Sequence, residues 1–511
     1  MIYASIIVEA LRVRPALVFW LAALAQALTW VLVPALFYSA PPGNLAEALA
    51  IGREFRLGTV YGPPLAYWLA DIAYSLAGGR LVGLYLLAQL CVLVTLWSLM
   101  ALGASIVGLR HSVLAILLMV GVSAIVVPTP DFGPHVLAMP LWSLALLHTW
   151  RVFGERRRRY WLPLAIELGL LLLTAWLAIA LVVLLDLFLI ATRRGREMLR
   201  TLDPWLCVAI VAIVVLPYAL WLAQQPELLA PVRAGWRPLA PMRDAMTWLR
   251  LLGDLTLAHA GAVLLVALAS GWPFKRRQRV PSLARDATPA EGRAFVLFFT
   301  LAPPLAASLL AVLYAPSPPL VAAAPVVVLS GLAVIVVAGE TIRLHRQRVL
   351  AYAWLGLLIA APVMVALGVT LLPRLLPIEL RVAQPAAAVA GFFAETFERR
   401  TGQPLAIVAG DRRLAALVAA ASRSRPRQFI DATTTPWLTA DDIRTRGAVV
   451  LWPAADTPGT PPPEIKARFP DLVLEIPRLF ERPLQGFGPP LRIGWAVIRP
   501  GIRDQGSGIR R

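Results

Sequence analysis

Long apolar segments alternate with short polar connections along most of this chain. Each segment is near the ~20 residues that an α-helix needs to cross a bilayer, which predicts about eleven transmembrane helices. The third to sixth segments are the shortest. The predicted spans are 17–39, 81–103, 112–127, 134–150, 160–175, 177–192, 205–223, 251–271, 294–314, 319–338 and 351–373.

The connection between the first two predicted spans is unusually long and covers Pro41–Arg80. It has a helical apolar pattern that Tyr61, Gly62, Pro63 and Pro64 interrupt in the middle. This pattern predicts two amphipathic helices that lie along a membrane surface instead of crossing it. The segment also carries a cluster of acidic and basic residues, Glu47, Arg53, Glu54, Arg56 and Asp71.

Beyond residue 380 the pattern changes, and short strand-like runs alternate with helix-like ones. The alternation predicts a small α/β domain over 381–502 and a disordered polar tail over 503–511. The predicted strands are Leu405–Ala409, Gln428–Ile430, Ala448–Trp452, Leu472–Ile476 and Leu491–Ile498, and the predicted helices are Ala386–Arg399, Arg412–Ala421 and Ala440–Arg446. The predicted fold is therefore mainly α, with a polytopic transmembrane bundle over 1–380, amphipathic outer-face helices in 41–80 and this C-terminal domain.

Composition agrees with a membrane location, since 59% of the residues are hydrophobic, 15% are charged and mean hydropathy is +0.71. The net charge of +19 comes almost entirely from arginines that cluster between apolar segments, with no nucleic-acid-binding motif nearby. The positive-inside rule and contacts with anionic membrane lipids explain these clusters better than nucleic acid does. Most of them fall in alternate loops, which predicts a cytoplasmic N-terminus.

With this orientation, the 41–80 segment, the 128–133 loop, the 224–250 loop and the C-terminal domain all lie on the outer side. The 224–250 loop departs from the alternation because it carries Arg233, Arg237, Arg243 and Arg250. Polar side chains from these outer segments are expected to share one pocket.

The sequence contains no Walker loop, no G-x-G-x-x-G after a strand, no G-x-S-x-G and no H-E-x-x-H. No nucleotide-binding domain precedes the membrane part. A transferase of this kind must therefore receive its donor from the lipid phase. Cys91 and Cys207 lie in apolar segments and have neither disulfide nor metal-ligand spacing.

One string in the first outer segment carries a family resemblance, R-E-aromatic-x-x-G-x-x-x-x-P-P-L-x-x-W. Its fixed positions are Arg53, Glu54, Phe55, Gly58, Pro63, Pro64, Leu65 and Trp68. With the Pro-Asp loop before a later span and the outer C-terminal domain, this layout resembles the GT-C superfamily of membrane glycosyltransferases. Within it, the chain is similar to the family 39 enzymes, which include protein O-mannosyltransferases and lipid A aminoarabinose transferases.

The resemblance implies an inverting glycosyltransferase at the periplasmic face of a bacterial inner membrane. The implied donor is a polyprenyl-phosphate sugar, and the acceptor is a lipid, a glycan or a protein. The implied reaction uses no cofactor and is expected to be metal-independent.

The resemblance also implies site residues, with one departure. Asn44 stands where the family has an aspartate, and an amide cannot accept a proton from a hydroxyl. Glu47 follows on the same helical face, and Asp131 matches a second acidic position, so the catalytic candidates are Glu47, Asp131 and Asn44. The candidates for binding the donor phosphate or substrate are Arg53, Glu54, Tyr61, His135, Arg233, Arg237 and Arg243.

Plainer interpretations stay open for several of these residues. Arg53 and Glu54 suit a solvated helix face, Asp131 suits a helix cap, and His135 suits an ordinary polar position near the interface. Two other functions also stay open. The first is an inactive relative that binds polyprenyl lipid as a scaffold, which Asn44 favours. The second is a transporter of a lipid-linked substrate.

Overall fold

The computed structural model describes residues 9–59, 61–127, 129–225, 234–271, 282–314, 320–376, 378–431, 434–454, 456–481 and 490–501. The chain divides into two compact units. The helical unit comprises Met1–Leu32, Tyr61–Ala66 and Val82–Met364, and the mixed unit comprises Val33–Val60, Tyr67–Leu81 and Val365–Arg511. Arg233, the basic loop at 275–279 and the predicted tail fall outside the described residues.

The helices up to residue 376 follow the apolar segments of the sequence. They are α1 Pro15–Phe37, α2 Leu45–Gly52, α3 Leu65–Leu76, α4 Val82–Val107, α5 Leu109–Met119, α6 Ser123–Val126, α7 Pro134–Phe153, α8 Trp161–Leu172, α9 Ala178–Ala191, α10 Arg193–Leu199, α11 Asp203–Ala223, α12 Pro241–Ala258, α13 Ala260–Ser270, α14 Ala290–Leu313, α15 Ser330–Val337 and α16 Gln347–Leu375. A short antiparallel pair, β1 Ser282–Ala284 and β2 Thr341–Arg343, joins two connections of the helical unit.

Within the described residues, six helices are long and apolar enough to cross a membrane: α1, α4, α7, α11, α14 and α16. A seventh span results if the bent pair of α12 and α13 is counted as one. Three further predicted spans coincide with shorter apolar helices at Leu109–Met119, Ala178–Ala191 and Ala324–Val337. The chain is a multi-pass membrane protein, and the predicted total of eleven spans stays a prediction.

Aromatic side chains from α7, α9 and α14 pack together in the helical unit. Phe188 of α9 lies with its ring centroid 5.5 Å from Phe295 and 5.3 Å from Phe299 of α14. Trp150 of α7 joins this cluster at 5.3 Å from Phe295. Because lipid tails are as apolar as these side chains, close van der Waals packing holds the helices together instead of the hydrophobic effect.

The predicted span 251–271 is wrong as one continuous helix, because α12 and α13 meet at His259 with a bend of 55°. His259 Nδ1 lies 2.8 Å from the carbonyl oxygen of Leu255, and Nε2 lies 2.9 Å from Ser330 Oγ. After the bend, the amide of Ala262 donates to the carbonyl oxygen of Gly121 at 3.0 Å. These bonds satisfy backbone and side-chain groups that a break inside an apolar environment would otherwise leave unpaired.

The C-terminal part of the mixed unit is the predicted α/β domain. It contains helices α17 Ala386–Thr401, α18 Arg412–Ala421, α19 Ala440–Arg446 and α20 Pro463–Arg468, and strands β3 Ile407–Gly410, β4 Arg427–Phe429, β5 Ala448–Pro453, β6 Arg478–Phe480 and β7 Leu491–Ile498. The strand order is β4-β3-β5-β7-β6. The first three strands are mutually parallel, and β7 runs antiparallel to β5 and β6.

Helices cover both faces of this sheet, and the side chains of β3 alternate between two cores. Val408 packs with Phe393 and Leu414 on one face. Ile407 packs with Ile443 on the other. Strands buried on both faces read as continuous apolar runs, which is why the sequence indicates them so clearly.

The predicted strand Leu472–Ile476 is wrong. Within it only Leu474 pairs, through an isolated bridge to Ala496, and the edge strand begins later, at Arg478. Ile476 is 88% exposed, and Pro477 follows it with no amide hydrogen to donate to a ladder. A run of apolar residues without burial on one face was not sufficient to form the strand.

We expect Phe393→Ala to destabilise the α/β domain by about 3–5 kcal/mol. Phe393 is fully buried and packs against Phe480 and Trp495, so truncation leaves a cavity between α17 and the sheet. Hydrogen exchange of the β3 and β5 amides in the full-length protein measures the effect. Ile476→Ala, at an exposed apolar position, is the control and should leave exchange unchanged.

Candidate functional site

Both predicted helices of the 41–80 segment form, as α2 and α3, and both lie largely in the mixed unit. Asn44 occupies the N-cap position of α2 and is exposed. The buried face of α2 carries Leu45 and Leu49, and Ala50 packs against the core of the α/β domain. Contacts within the mixed unit therefore bury part of the apolar face that the sequence assigned to a membrane surface.

The three carboxylates of the 41–80 segment each form an ion pair with an arginine of the α/β domain. Glu47 pairs with Arg412, Asp71 with Arg425 and Glu54 with Arg427. The carboxylate side chains are only 10%, 8% and 9% exposed, in that order. A carboxylate removed from water to this extent is stable in its charged form only with a partner, and loss of one partner of a buried pair costs about 3–5 kcal/mol.

The pair between Glu54 and Arg427 has the strongest geometry of the three. Arg427 Nε donates to Oε1 at 2.8 Å and Nη2 donates to Oε2 at 2.6 Å, which is the bidentate arrangement that arginine makes with a carboxylate. These hydrogen bonds raise the pKa of Arg427, although burial opposes them. Glu47 differs, because Arg412 Nε and Nη2 both donate to the single oxygen Oε2, the first at 2.7 Å.

Phe55 turns the chain between α2 and α3 in the left-handed backbone region, with φ of 47°. Such a conformation costs a non-glycine residue on the order of 1–3 kcal/mol. The flanking residues hold it in place, since Glu54 is paired and the Arg56 guanidinium lies 5.7 Å from the Trp437 ring centroid. Trp68 Nε1 also donates to the Arg56 carbonyl oxygen at 3.0 Å.

Helix α3 is fixed to the α/β domain near Asp71. Tyr74 Oη donates to the carbonyl oxygen of Ala420 at 3.0 Å, and the Arg425 guanidinium lies 4.9 Å from the Tyr74 ring centroid. Burial raises the pKa of Tyr74, so its hydroxyl stays protonated and serves as a donor. Hydrogen bonds, ion pairs and aromatic contacts therefore all connect this helix to the domain.

Arg53 lies beside this network and has a different environment. Burial of its inner part lowers the pKa of Arg53, and the positive charge of Arg425 lowers it further. Within the described ranges, no carboxylate lies within ion-pair distance of Arg53 or Arg56. Arg53 nonetheless stays charged at any physiological pH, because the ordinary pKa of an arginine lies far above neutrality.

Asp131 and His135 lie in the helical unit, at the loop that leads into α7. The N-cap of α7 is Gly133 and not Asp131, so the aspartate does not occupy the capping position. Gln89 of α4 fixes this loop, since its Nε2 donates at 3.0 Å to the hydroxyl oxygen of the buried Thr129. This hydrogen bond holds the start of the loop. Asp131 itself is half-buried.

The other predicted binding residues that the structure describes also belong to the helical unit. Tyr61 precedes Gly62, whose φ of 125° favours glycine. Arg237 Nη2 donates to the Tyr314 carbonyl oxygen at 3.0 Å, and Arg243 Nε donates to Asp244 at 2.9 Å. These arginines thus make contacts of their own, and the expectation of one pocket shared by all the candidates stays a prediction.

A cavity of about 640 Å³ lies in the helical unit among α1, α5, α13, α15 and α16. Its walls are mostly leucine, alanine and valine, and its few polar lining residues are Ser270, Thr341, Arg343 and Gln347. None of the predicted site residues lines it. It therefore offers space for hydrocarbon and no group for acid–base chemistry.

No group of three or more His, Cys, Asp or Glu side chains within the described ranges is arranged to hold a metal ion. The expectation of a metal-independent reaction stays a prediction.

The sequence alone does not identify the arginines that pair with the carboxylates of the 41–80 segment. Each arginine lies 354 to 373 positions away from its carboxylate in the chain. The one local signal is the run Ser422–Arg427, in which three arginines alternate with small residues and proline. A basic run in an α/β domain is usually a solvated face, so this signal identifies no partner by itself.

Comparison with known proteins agrees with the class predicted from the sequence. The sequence profile of the dolichyl-phosphate-mannose-protein mannosyltransferase family matches residues 61–221. Comparison with curated proteins gives no match. Among solved structures, ArnT from Cupriavidus metallidurans bound to undecaprenyl phosphate has a TM-score of 0.56 and 13% identity, covering 96% of this chain and 99% of that one.

The apo state of the same ArnT has a TM-score of 0.51, with the same identity and coverage. These likenesses show that the fold is shared over nearly the whole of both chains. The partial family match and the shared fold confirm the predicted resemblance to the GT-C superfamily of membrane glycosyltransferases.

Gly52 permits the close approach of α2 to α3, and we expect Gly52→Ala to disrupt it. A Cβ atom at this position would overlap the carbonyl oxygen of Tyr67 and press on Asp71 Cβ at 3.2 Å. The variant should increase hydrogen exchange across α2 and α3 by at least about tenfold, as expected for a steric clash with backbone.

The matched control is Gly391→Ala in α17, where an added Cβ meets nothing within 4 Å. It should leave exchange unchanged or slow it, because alanine favours a helix by roughly 0.5–1 kcal/mol over glycine. Equal behaviour of the two variants would contradict the close-approach argument.

Proposed function

We propose that this protein transfers a sugar from a polyprenyl-phosphate donor to a hydroxyl group of a lipid, glycan or protein acceptor, inverting the anomeric carbon. The observation that carries the proposal is the family match over 61–221, which includes Pro63, Pro64 and Trp68 of the motif and the candidate Asp131. The ArnT structure with undecaprenyl phosphate supports a polyprenyl lipid as the carrier.

The distribution of arginines supports a location at the periplasmic face of a bacterial inner membrane, with a cytoplasmic N-terminus. In this orientation the first outer segment, the Asp131 loop and the α/β domain are all periplasmic. The donor then diffuses within the membrane and the acceptor arrives from either the lipid or the periplasm.

The reaction is a single in-line displacement. The acceptor oxygen attacks the anomeric carbon while the bond from that carbon to the phosphate oxygen breaks, and the electron pair leaves with polyprenyl phosphate. A phosphate needs no protonation to leave, unlike the sugar oxygen in glycoside hydrolysis. One carboxylate that accepts the acceptor proton is therefore sufficient.

Two kinds of side chain carry this chemistry. The candidates to stabilise the charge on the departing phosphate are Arg53 in the mixed unit and, in the helical unit, Tyr61, His135, Arg237 and Arg243. We assign proton acceptance to Asp131, because Arg412 occupies Oε2 of Glu47. Glu54 then acts through Arg427 and shapes the segment that carries Arg53.

Asp131→Asn should reduce sugar transfer at least ~100-fold with little change in donor binding, since it removes a general base. Release of polyprenyl phosphate by the purified protein measures the rate. Asp286→Asn, at an exposed position, is the matched control. Transfer at the wild-type rate by the Asp131 variant would show that the base is elsewhere.

Glu47→Gln should also reduce transfer at least ~100-fold, and Arg412→Gln distinguishes the reason. If Glu47 positions α2 through its ion pair, both variants lose activity to a similar extent. If Glu47 itself accepts the proton, Arg412→Gln retains much more activity than Glu47→Gln, because it leaves the carboxylate in place.

The scheme uses no cofactor, and arginines rather than a metal ion neutralise the phosphate. We therefore expect transfer to continue in an excess of a metal chelator. Loss of activity that added Mg²⁺ or Mn²⁺ restores would contradict this part of the proposal.

A lipid-binding scaffold is the second candidate function, favoured by Asn44 at the expected aspartate position and by the ion pair that Glu47 makes. The same assay separates the candidates. Binding of a polyprenyl-phosphate sugar without release of polyprenyl phosphate supports the scaffold. Absence of both supports transport of another substrate, for which the break at His259 is a suitable feature.

A further inference from the structure

The part of the first outer segment that forms α2 and α3, residues 41–76, is acidic by itself, although its proposed ligand is an anion. Between Pro41 and Leu76 it carries three carboxylates and two arginines, for a formal charge of −1. A phosphate would be repelled by such a surface. The three arginines of the α/β domain change this balance, because each neutralises one carboxylate and the combined formal charge becomes +2.

The two cations that remain after this pairing both lie at the turn between α2 and α3. They are Arg53 and Arg56, on either side of the left-handed Phe55. Arg56 lies over the Trp437 ring. Glu54, the carboxylate that follows Arg53 directly and lies two residues before Arg56, is bound to Arg427 through both oxygens. The nearest acidic side chain is thus held by the domain and is not available to neutralise Arg53.

The arginines of the domain come from one region of its fold. Arg412 begins α18, directly after the parallel strand β3, and β3 has β4 on one side and β5 on the other. The chain thus leaves β3 toward β4 on one side, and the later strand β5 lies on the other side of β3. Open α/β sheets commonly bind ligands at such a point, where the connections lead to opposite sides. Here a carboxylate of the same chain, Glu47, takes the arginine, while Arg425 and Arg427 follow at the end of the α18–β4 connection.

We propose that Arg412, Arg425 and Arg427 are positioning residues that convert the acidic stretch 41–76 into a cationic surface for a phosphate group. They neutralise Glu47, Asp71 and Glu54 and fix the turn that presents Arg53 and Arg56. This rests on the proposed function, in which the phosphate belongs to the polyprenyl donor. The α/β domain then promotes donor binding indirectly, because it sets the charge and the geometry of the first outer segment.

Matched charge variants of the full-length protein test this inference, with polyprenyl phosphate in detergent micelles as the probe. Arg427→Gln leaves Glu54 buried and uncompensated, so the Kd should rise at least about tenfold. The double variant Glu54→Gln with Arg427→Gln lacks the ion pair but restores the charge balance, and its Kd should return to within about threefold of wild type.

Arg413→Gln is the matched control, because it removes the same charge one residue from Arg412 at an exposed position. It should change the Kd less than about twofold. If Arg427→Gln weakens binding no more than Arg413→Gln, or if the double variant binds as weakly as the single one, charge conversion is wrong.

A second readout keeps this inference separate from the proposed function. Hydrogen exchange over residues 45–76 should rise in Arg427→Gln, and the swapped pair Glu54→Arg with Arg427→Glu should reverse the rise. If wild-type protein binds no polyprenyl phosphate, the proposed function fails, and with it the phosphate as ligand. The exchange data still decide positioning, since unchanged exchange in Arg427→Gln would overturn it.

Discussion

A carboxylate loses its hydration when it is buried, and in the mixed unit arginine side chains replace the lost water. Glu47, Glu54 and Asp71 are each about one-tenth exposed or less, and each is matched by one guanidinium. Their burial is compatible with folding only because these partners exist. The first outer segment and the α/β domain therefore form one unit, although the helical stretch Val82–Met364 separates them in the chain.

The helical unit obeys a different constraint, which is that backbone groups in lipid must be satisfied internally. Its long helices meet this requirement by themselves. Where a helix breaks, as at His259, side-chain and backbone bonds to Ser330 and Gly121 replace the missing ones. In this scaffold, the buried hydrogen bond from Gln89 to Thr129 helps to hold the Asp131 loop.

Features that depend on local pattern were predictable from the sequence, and features that depend on pairing were not. Apolar runs and their spacing predicted α2, α3, α18, α19 and most strands of the α/β domain, because each is encoded within a few consecutive residues. The strand at Leu472–Ile476 failed because Val473 and Ile476 are exposed to solvent and only Leu472 packs against a core. The arginines that pair with Glu47 and Glu54 could not be found, since charge alone does not specify a distant partner.

The order of synthesis gives the pairing of Glu54 with Arg427 a further meaning. Glu54 leaves the ribosome 373 residues before Arg427, and the described helices of the helical unit other than α1 are made in between. During that time the first segment carries its negative charges without their partners, so its final geometry is of very high contact order. Insertion into the membrane thus comes first, and the surface around Arg53 matures as one of the last steps of folding, when the α/β domain closes on a segment made long before.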